Sequence, residues 1–406
     1  AGFAVPGGPV TPIVASIPEM TTSKYAWAAI VGETASYTAQ ISASRVAREN
    51  ETLAPYWKNV PEAAFRELDK RLPPLPSVRA PAPSIRASLL GEGVGTVRPF
   101  FIPSFGGIAT TTAYPDNFIW AKCFAATDKL LIYADQTIPA PSYTLIGEIR
   151  QKFEEVIQAR VQDAFGTEPP TGPNGDTRLT ILLTDSMVPN LIGLFNGADL
   201  YNTNPFNPQL RESNERKLLF VKYSLANPIT RFGTVAHEYC HLVTFYQKQR
   251  TGSSFEETWL SEGYSKYAEE LTGFGMQNGD NNTAEILRQM LVNWNVMSLT
   301  DFTRVENYGL SYLFVRFLAE EQLFKNTSRD ATRALSTSTL TGIANVEAMT
   351  RETFPSTLGR FYISLLLNRY NSVQKPEYGL SNLNLKGSYA GVTLPGVPFA
   401  PVPAAP

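Results

Sequence analysis

Apolar positions along the chain fall into successive patterns, and each pattern predicts a different kind of element. Over residues 35–72, Ile41, Val46, Leu53, Trp57, Phe65 and Leu68 recur at roughly helical spacing among polar neighbours, which predicts mainly helix. Pro73, Pro74, Pro76, Pro81 and Pro83 follow as a stiff connector and a candidate boundary. From residue 85 to about 138, short apolar or alternating runs (118–124 and 129–134 among them) are broken by Gly and Pro and predict a small β-rich region.

After Pro141 helix alternates with strand. Ile146, Ile149, Phe153, Val156, Ile157 and Phe165 mark one face of a helix starting near Ser142 and stopping before Gly166. RLTILLT at 178–184 and KLLFVKY at 217–223 read as buried strands. Between them, LIGLFNGADL at 191–200 is apolar but interrupted by Gly193 and Gly197. It is either an ordinary Gly-containing strand or a sheet edge able to pair with an extended peptide. Helices are expected at about 228–249 and 257–271, the second closed by Gly273, and then around 284–294, 308–323 and 357–370. Pro395, Pro398, Pro401, Pro403 and Pro406 mark an extended tail. The expected class is α+β. The expected divisions are a helical segment with linker (1–83), a small β-rich region (84–140), a sheet with active-site helices (141–275), a helical C-terminal subdomain (276–385) and a Pro-rich tail (386–406).

Composition narrows the function. Hydrophobic residues at 43% and aromatics at 11% exclude disorder over the whole length. A net charge of −2 without a long basic block argues against a nucleic-acid footprint or a polybasic membrane anchor. No apolar run reaches the ~18 residues of a transmembrane helix. Two cysteines, Cys123 and Cys240, allow at most one bridge. The start AGFAVPGGPV has no Met, charged n-region or apolar h-region, and with 30 prolines and 28 glycines it suits a mature exported bacterial protein. A monomer acting on proteins or peptides, extracellular or periplasmic, is the expectation.

The decisive count is histidine. The chain has two, His237 and His241, four residues apart with Glu238 after the first. Chance placement gives that arrangement about 4 times in 10,000, so a satisfied structural pair is a weak alternative. On a helix the two positions differ by ~40° in azimuth and ~6 Å in height, so both imidazoles leave one face and can share an ion. Two imidazoles and one carboxylate suit Zn²⁺, with a fourth position left for water. Glu238, ~100° away, can sit beside that position as a general base. The third ligand must come from elsewhere. Among Glu256, Glu257, Glu262, Glu269 and Glu270, Glu262 is favoured: it lies 21 positions after His241, room for a loop and a reversal, and Gly263 permits close helix packing. Its bland alternative is a carboxylate stabilised by a helix N-terminus. Cys240, off the ligand face, reads as a small buried hydrophobe, or as the partner of Cys123.

TVAHEYCHLVTF at 234–245 and TWLSEGYSKYAEELTG at 258–273 resemble the gluzincin metallopeptidases, and more narrowly the hyicolysin family of bacterial secreted neutral metalloproteases. RLTILLTD (178–185), NGADLY (196–201) and NYGLSYLFVRFLAE (307–320) support the resemblance, which covers about residues 140–370. It implies a zincin-like domain, one Zn²⁺ held by His237, His241 and Glu262, and Glu238 as catalytic acid/base. The Trp-Leu-Ser-Glu-Gly turn is also similar to that of zinc aminopeptidases, but no Gly-x-Met-Glu-Asn segment accompanies it.

An oxyanion donor is still needed, and with both histidines committed a tyrosine is the natural supplier. Tyr308, before Gly309, is the first choice, with Tyr264, Tyr267 and Tyr312 competing. Asn174-Gly175-Asp176 and residues 277–282 could host Ca²⁺, but neither matches an EF-hand and turn chemistry explains both. Two function classes remain: a secreted zinc endopeptidase (or an aminopeptidase-type relative), and a metal-binding scaffold or adhesion protein without catalysis. The Pro-rich break adds a further expectation, that residues 1–80 form a pro-region or cover.

Overall fold

Residues 179–184 and 218–222 are apolar at nearly every position because both faces of the sheet they build are covered. The computed structural model describes residues 60–75, 91–103, 118–207, 209–294, 297–324, 330–368, 380 and 383–397. Six strands form one mixed sheet: β1 (Val97–Phe101), β2 (Phe118–Ala126), β3 (Leu130–Asp135), β4 (Leu179–Thr184), β5 (Gly193–Phe195) and β6 (Leu218–Lys222), in spatial order β1-β2-β3-β4-β6-β5. β3, β4 and β6 run parallel, while β1, β2 and β5 are antiparallel to their neighbours. Alternate side chains go to opposite faces. Ile132, Ile181 and Leu219 join the large core, and Tyr133, Leu182 and Phe220 join a smaller one on the other face.

The large core is covered by helices. The first of these in the chain, α1 (Pro61–Asp69), is followed after β3 by α2 (Tyr143–Lys152), a π-helical stretch (Phe153–Ile157) and α3 (Gln158–Phe165). Ser142 caps α2 by accepting from Leu145 N–H. Then come α4 (Pro228–Arg250), α5 (Thr258–Leu271), α6 (Asn281–Asn293), α7 (Asn307–Phe324), α8 (Ala331–Ser336), α9 (Gly342–Thr350) and α10 (Phe354–Asn368). The class is mixed α+β, as expected, and no described helix is long and apolar enough to cross a membrane.

Two expectations need revision, and of the two readings of Cys240 the buried small hydrophobe holds. The strands of the expected small β-rich region are not separate: β3 pairs with β4, so one sheet crosses residue 140. The reason is that residues 130–135 are apolar on both faces and must be buried on both. Within the expected Pro-rich tail, residues 383–397 fold back as a hairpin of β7 (Ser388–Tyr389) and β8 (Val392–Thr393), which buries Leu385, Leu394 and Val397. Its turn places Ala390 and Gly391 at φ 50° and 81°, the left-handed pair such two-residue loops require. Cys123 and Cys240 are both free, since Cys123 lies in the smaller core and Cys240 in the larger, on opposite faces of the sheet. Of the long N-terminal helix expected over 35–72, residues 61–69 are helical. Residues 1–59, most of the Pro-rich connector (76–90) and the last nine residues lie outside the described ones.

The C-terminal helices are tied to the end of α4 by Lys248. Its fully buried ammonium donates to the carbonyls of Leu335 (2.9 Å), Ser338 (3.1 Å) and Leu340 (2.6 Å) and pairs with Glu256 at 3.1 Å. Glu256 also accepts from Gly342 N–H and Asn345 at the start of α9. α5 meets α7 so closely that a Cβ on Gly263 would stand 2.8 Å from the Ser311 carbonyl oxygen and 2.7 Å from Val315 Cγ2. Gly263→Ala should therefore destabilise the fold by about 1–3 kcal/mol, read as a lowered denaturant midpoint with unchanged slope. A midpoint equal to that of the parent would refute this account of the α5–α7 contact.

Candidate metal centre

α4 starts at Pro228, where a missing N–H costs nothing, and Asn227 caps it by accepting from Ile229 N–H. Nineteen of its 23 residues are buried, so it runs through the interior and each polar side chain on it must find a partner inside the protein. The rings of His237 and His241 leave the same face with centroids 4.9 Å apart, and their Nε2 atoms are 3.2 Å apart. Two acceptor-type nitrogens at that distance need something positive between them.

The chain reverses after α4, and α5 returns beside it with Glu262 fully buried. Glu262 Oε2 lies 3.2 Å from His237 Nε2 and 3.3 Å from His241 Nε2. Its other oxygen has no hydrogen-bond partner, and the nearest cation to it is Arg66 Nε at 4.0 Å. A fourth donor comes from α1. Glu62 Oε1 stands 3.1 Å from His237 Nε2 and 3.4 Å from His241 Nε2. Among the described residues, Glu62, His237, His241 and Glu262 form a group that could hold a metal ion, with donor atoms all within 4.8 Å of one another.

The size of the group tests the fit. His237 Nε2, His241 Nε2 and Glu262 Oε2 form a nearly equilateral triangle of edge 3.2–3.3 Å, so a small divalent cation just out of its plane can stand about 2.0 Å from all three, the usual bond length to imidazole and carboxylate, and Glu62 Oε1 lies 3.1 and 3.4 Å from the two nitrogens. The groups behind the donors orient them. Glu269 Oε1 lies 2.8 Å from His237 Nδ1 and can accept a hydrogen bond from Nδ1–H, the tautomer that leaves Nε2 free to ligate. Ser261 Oγ lies 3.1 Å from His241 Nδ1 and serves the other ring in the same way. Glu269 is itself held by Lys266 at 2.9 Å and by Thr283 Oγ1 at 3.1 Å.

Electrostatics favour a cation here. Burial disfavours an imidazolium at His237, yet Glu62, Glu262 and Glu269 outweigh it and raise that ring well above its ordinary value. Burial, reinforced by the charge of Glu62, raises the Glu238 carboxyl well above the usual carboxylate range. Glu238 is near the donor group without belonging to it. Its Oε2 accepts from Phe195 N–H at 2.7 Å, and a Cβ on Gly193 would stand 2.6 Å from its Oε1, so the close approach of β5 requires glycine there. β5 is the sheet edge, as one of the two sequence readings had it.

Tyr308, at the start of α7, donates to Glu62 Oε2 at 2.7 Å, with its ring 6.4 Å from that of His237. Burial, with the charges of Glu262 and Glu62, pushes its hydroxyl well above 10, so it is a donor. Of the competing tyrosines, Tyr264 donates to Glu256 and Tyr312 to Glu270, away from the imidazoles. A cavity of about 140 Å³ opens here, lined by Glu62, His237, Glu238 and Tyr308 among others.

The residues singled out in the sequence as ligands and base thus come together. Sequence reasoning missed Glu62, which no local signal distinguishes from any acid on an amphipathic helix. It weighed Glu269 only as a metal ligand, although its position two turns after Glu262 places both on one face of α5. The two candidate Ca²⁺ loops have other engagements: Asp176 pairs with Arg178, and Asp280 caps α6 and accepts from Thr230. No protein-family model matches the chain, and no curated protein matches it.

Glu269→Gln keeps an acceptor for His237 but removes its charge. It should weaken Zn²⁺ binding by about 10–100-fold in competition with a chromophoric chelator, with the circular dichroism spectrum unchanged. Undiminished affinity would remove Glu269 from the account of the site.

Proposed function

We propose that the chain is a metal-dependent peptidase of the gluzincin kind, with a zincin-like catalytic part, resembling the secreted hyicolysin-type proteases. The observation that carries this reading is the placement of Glu238: buried beside the two imidazoles, facing the same cavity, yet outside the donor group. A purely structural metal site has no use for an extra buried carboxylate on the same cavity. The donor set of two imidazoles and carboxylate oxygen, at the size found, suits Zn²⁺ held by His237, His241 and Glu262.

A divalent ion in this site supplies Lewis acidity towards the attacking water and the scissile carbonyl. The remaining work falls to the chain. Glu238 takes a proton from the water as it attacks and passes it to the departing amine, two transfers within reach of one carboxylate. Its hydrogen bond from Phe195 N–H holds one oxygen, leaving Oε1 without that partner and available for the proton. The Tyr308 O–H donates a hydrogen bond to the charge that develops on the carbonyl oxygen. The outer edge of β5 offers backbone groups for an extended peptide, which the Gly193 approach brings over Glu238.

A second reading has one observation in its favour. Four protein donors make a closed set, as structural metal sites have, and a scaffold protein would need no more.

The test uses zinc-loaded protein in which Glu62→Ala clears the cavity. This protein should hydrolyse casein and short blocked peptides, and the added change Glu238→Gln should keep zinc while lowering turnover by at least about 10³-fold. Equal turnover with and without Glu238 would defeat the mechanism, and zinc-loaded protein inert on every peptide would favour the scaffold. In the same background Tyr308→Phe should lower kcat by about 10²-fold with KM little changed, the mark of an interaction made in the transition state.

A further inference from the structure

We propose that α1 is a built-in inhibitor and that the chain in this conformation is a latent peptidase, closed by Glu62. The inference rests on the peptidase reading and adds its regulation. Its basis is what the Glu62 carboxylate touches. Oε1 stands 3.1 and 3.4 Å from the two Nε2 atoms, where the attacking water has to be. Oε2 accepts from Tyr308 at 2.7 Å and so takes the hydroxyl proposed for the substrate oxygen. One carboxylate therefore spans the metal position and the oxyanion donor, as the carboxylate of a cleaved peptide would.

The rest of α1 lies over the same cleft. Arg66, four residues on and on the same face, is completely buried and donates to Phe195 O on β5. Phe195 N–H is already taken by Glu238, so both backbone groups of that edge residue are engaged. Asp69, the next on that face, accepts from Gly197 N–H at 2.9 Å and pairs with Arg66 at 3.2 Å. Phe65 is buried in the smaller core with Leu191 and Leu194, two residues before and one after Gly193. At the outer end, Lys70 pairs with Glu257, and Thr258 Oγ1 donates to Glu67. A peptide adding to β5 would have to displace all of this.

The fold itself does not need a carboxylate at position 62. Glu62 lies in the first turn of α1, where a neutral residue would serve the helix; Glu238 and Glu262 repel it, and what holds its carboxyl well below the usual range against burial is the pair of imidazoles, His237 and His241. Its place is accounted for by a cation between it and the imidazoles. A permanent fourth ligand would satisfy that requirement too, but it would leave unexplained why Tyr308 and the edge of β5 are occupied by the same helix.

The experiment compares full-length parent, Glu62→Ala and Glu62→Gln, each loaded with Co²⁺ as a spectroscopic probe. Two quantities are read: the visible spectrum with and without acetohydroxamate, a small chelating ligand, and hydrolysis of a short fluorogenic peptide. The parent should show no hydroxamate-induced change and slow hydrolysis. Both variants should retain Co²⁺, shift their spectra on adding acetohydroxamate, and cleave about 10–100-fold faster, the factor expected when a site open a few per cent of the time becomes freely open. A parent that binds acetohydroxamate and cleaves as fast as its variants overturns latency and leaves the peptidase reading standing. Variants that lose Co²⁺ as readily as a His241→Ala protein also overturn it, and make Glu62 a structural ligand. Variants that take up acetohydroxamate yet cleave nothing support closure by Glu62 and defeat the peptidase reading alone.

Discussion

Four carboxylates and two imidazoles crowd into a largely buried space at the middle of α4, and that crowding is the constraint to which the neighbouring elements answer. Burying one unpaired charge is costly, and burying several of one sign is possible only when protons, buried cations or a metal ion compensate them. Lys266 and Arg66 supply two positive charges, completely or nearly buried, on either side of the group. Their placement explains why α5 and α1 carry long basic side chains on faces that point inward. The centre of the group is left to a cation that can face two nitrogens at once, which neither amine nor guanidinium does from its position.

The parts legible in the sequence were those set by periodicity or by one tight turn. The four-residue spacing of His237 and His241 fixes a shared face whatever surrounds it. β4 and β6 were readable because burial on both faces writes a continuous apolar run, and α4, α5, α6, α7 and α10 because their apolar stripes are long, whereas α8 and α9, at six and nine residues, are too short to show one and were not expected. Glu262 could be picked from five acids because reversal between two helices restricts where a partner can fall.

The rest depended on long-range placement. Glu62 is 175 residues before His237, and an acid in the first turn of a helix looks the same whether it faces solvent or a metal site. The sheet was divided at residue 140 because β2 is only partly buried and reads as an independent small sheet, while its partner β3 has already passed to the interior. The hairpin of residues 388–393 was hidden by the proline count around it, which describes composition and not the two left-handed residues that make the turn. The Pro-rich connector suggested a separable leading segment. The structure adds what the end of such a segment touches, and the touching residue is the one no pattern had marked.

Lys248 has a mechanical consequence. One ammonium fastens the last turn of the histidine helix to three carbonyls around the start of α9 and to the carboxylate that holds α9's first turn. With so many bonds converging on a single buried nitrogen, the rear of the molecule behaves as a welded joint. On the peptidase reading proposed above, jaw-like breathing to admit a long polypeptide would then come from the front, by movement of β5 and whatever lies upon it, and the travel of that front strand would set how bulky a chain enters.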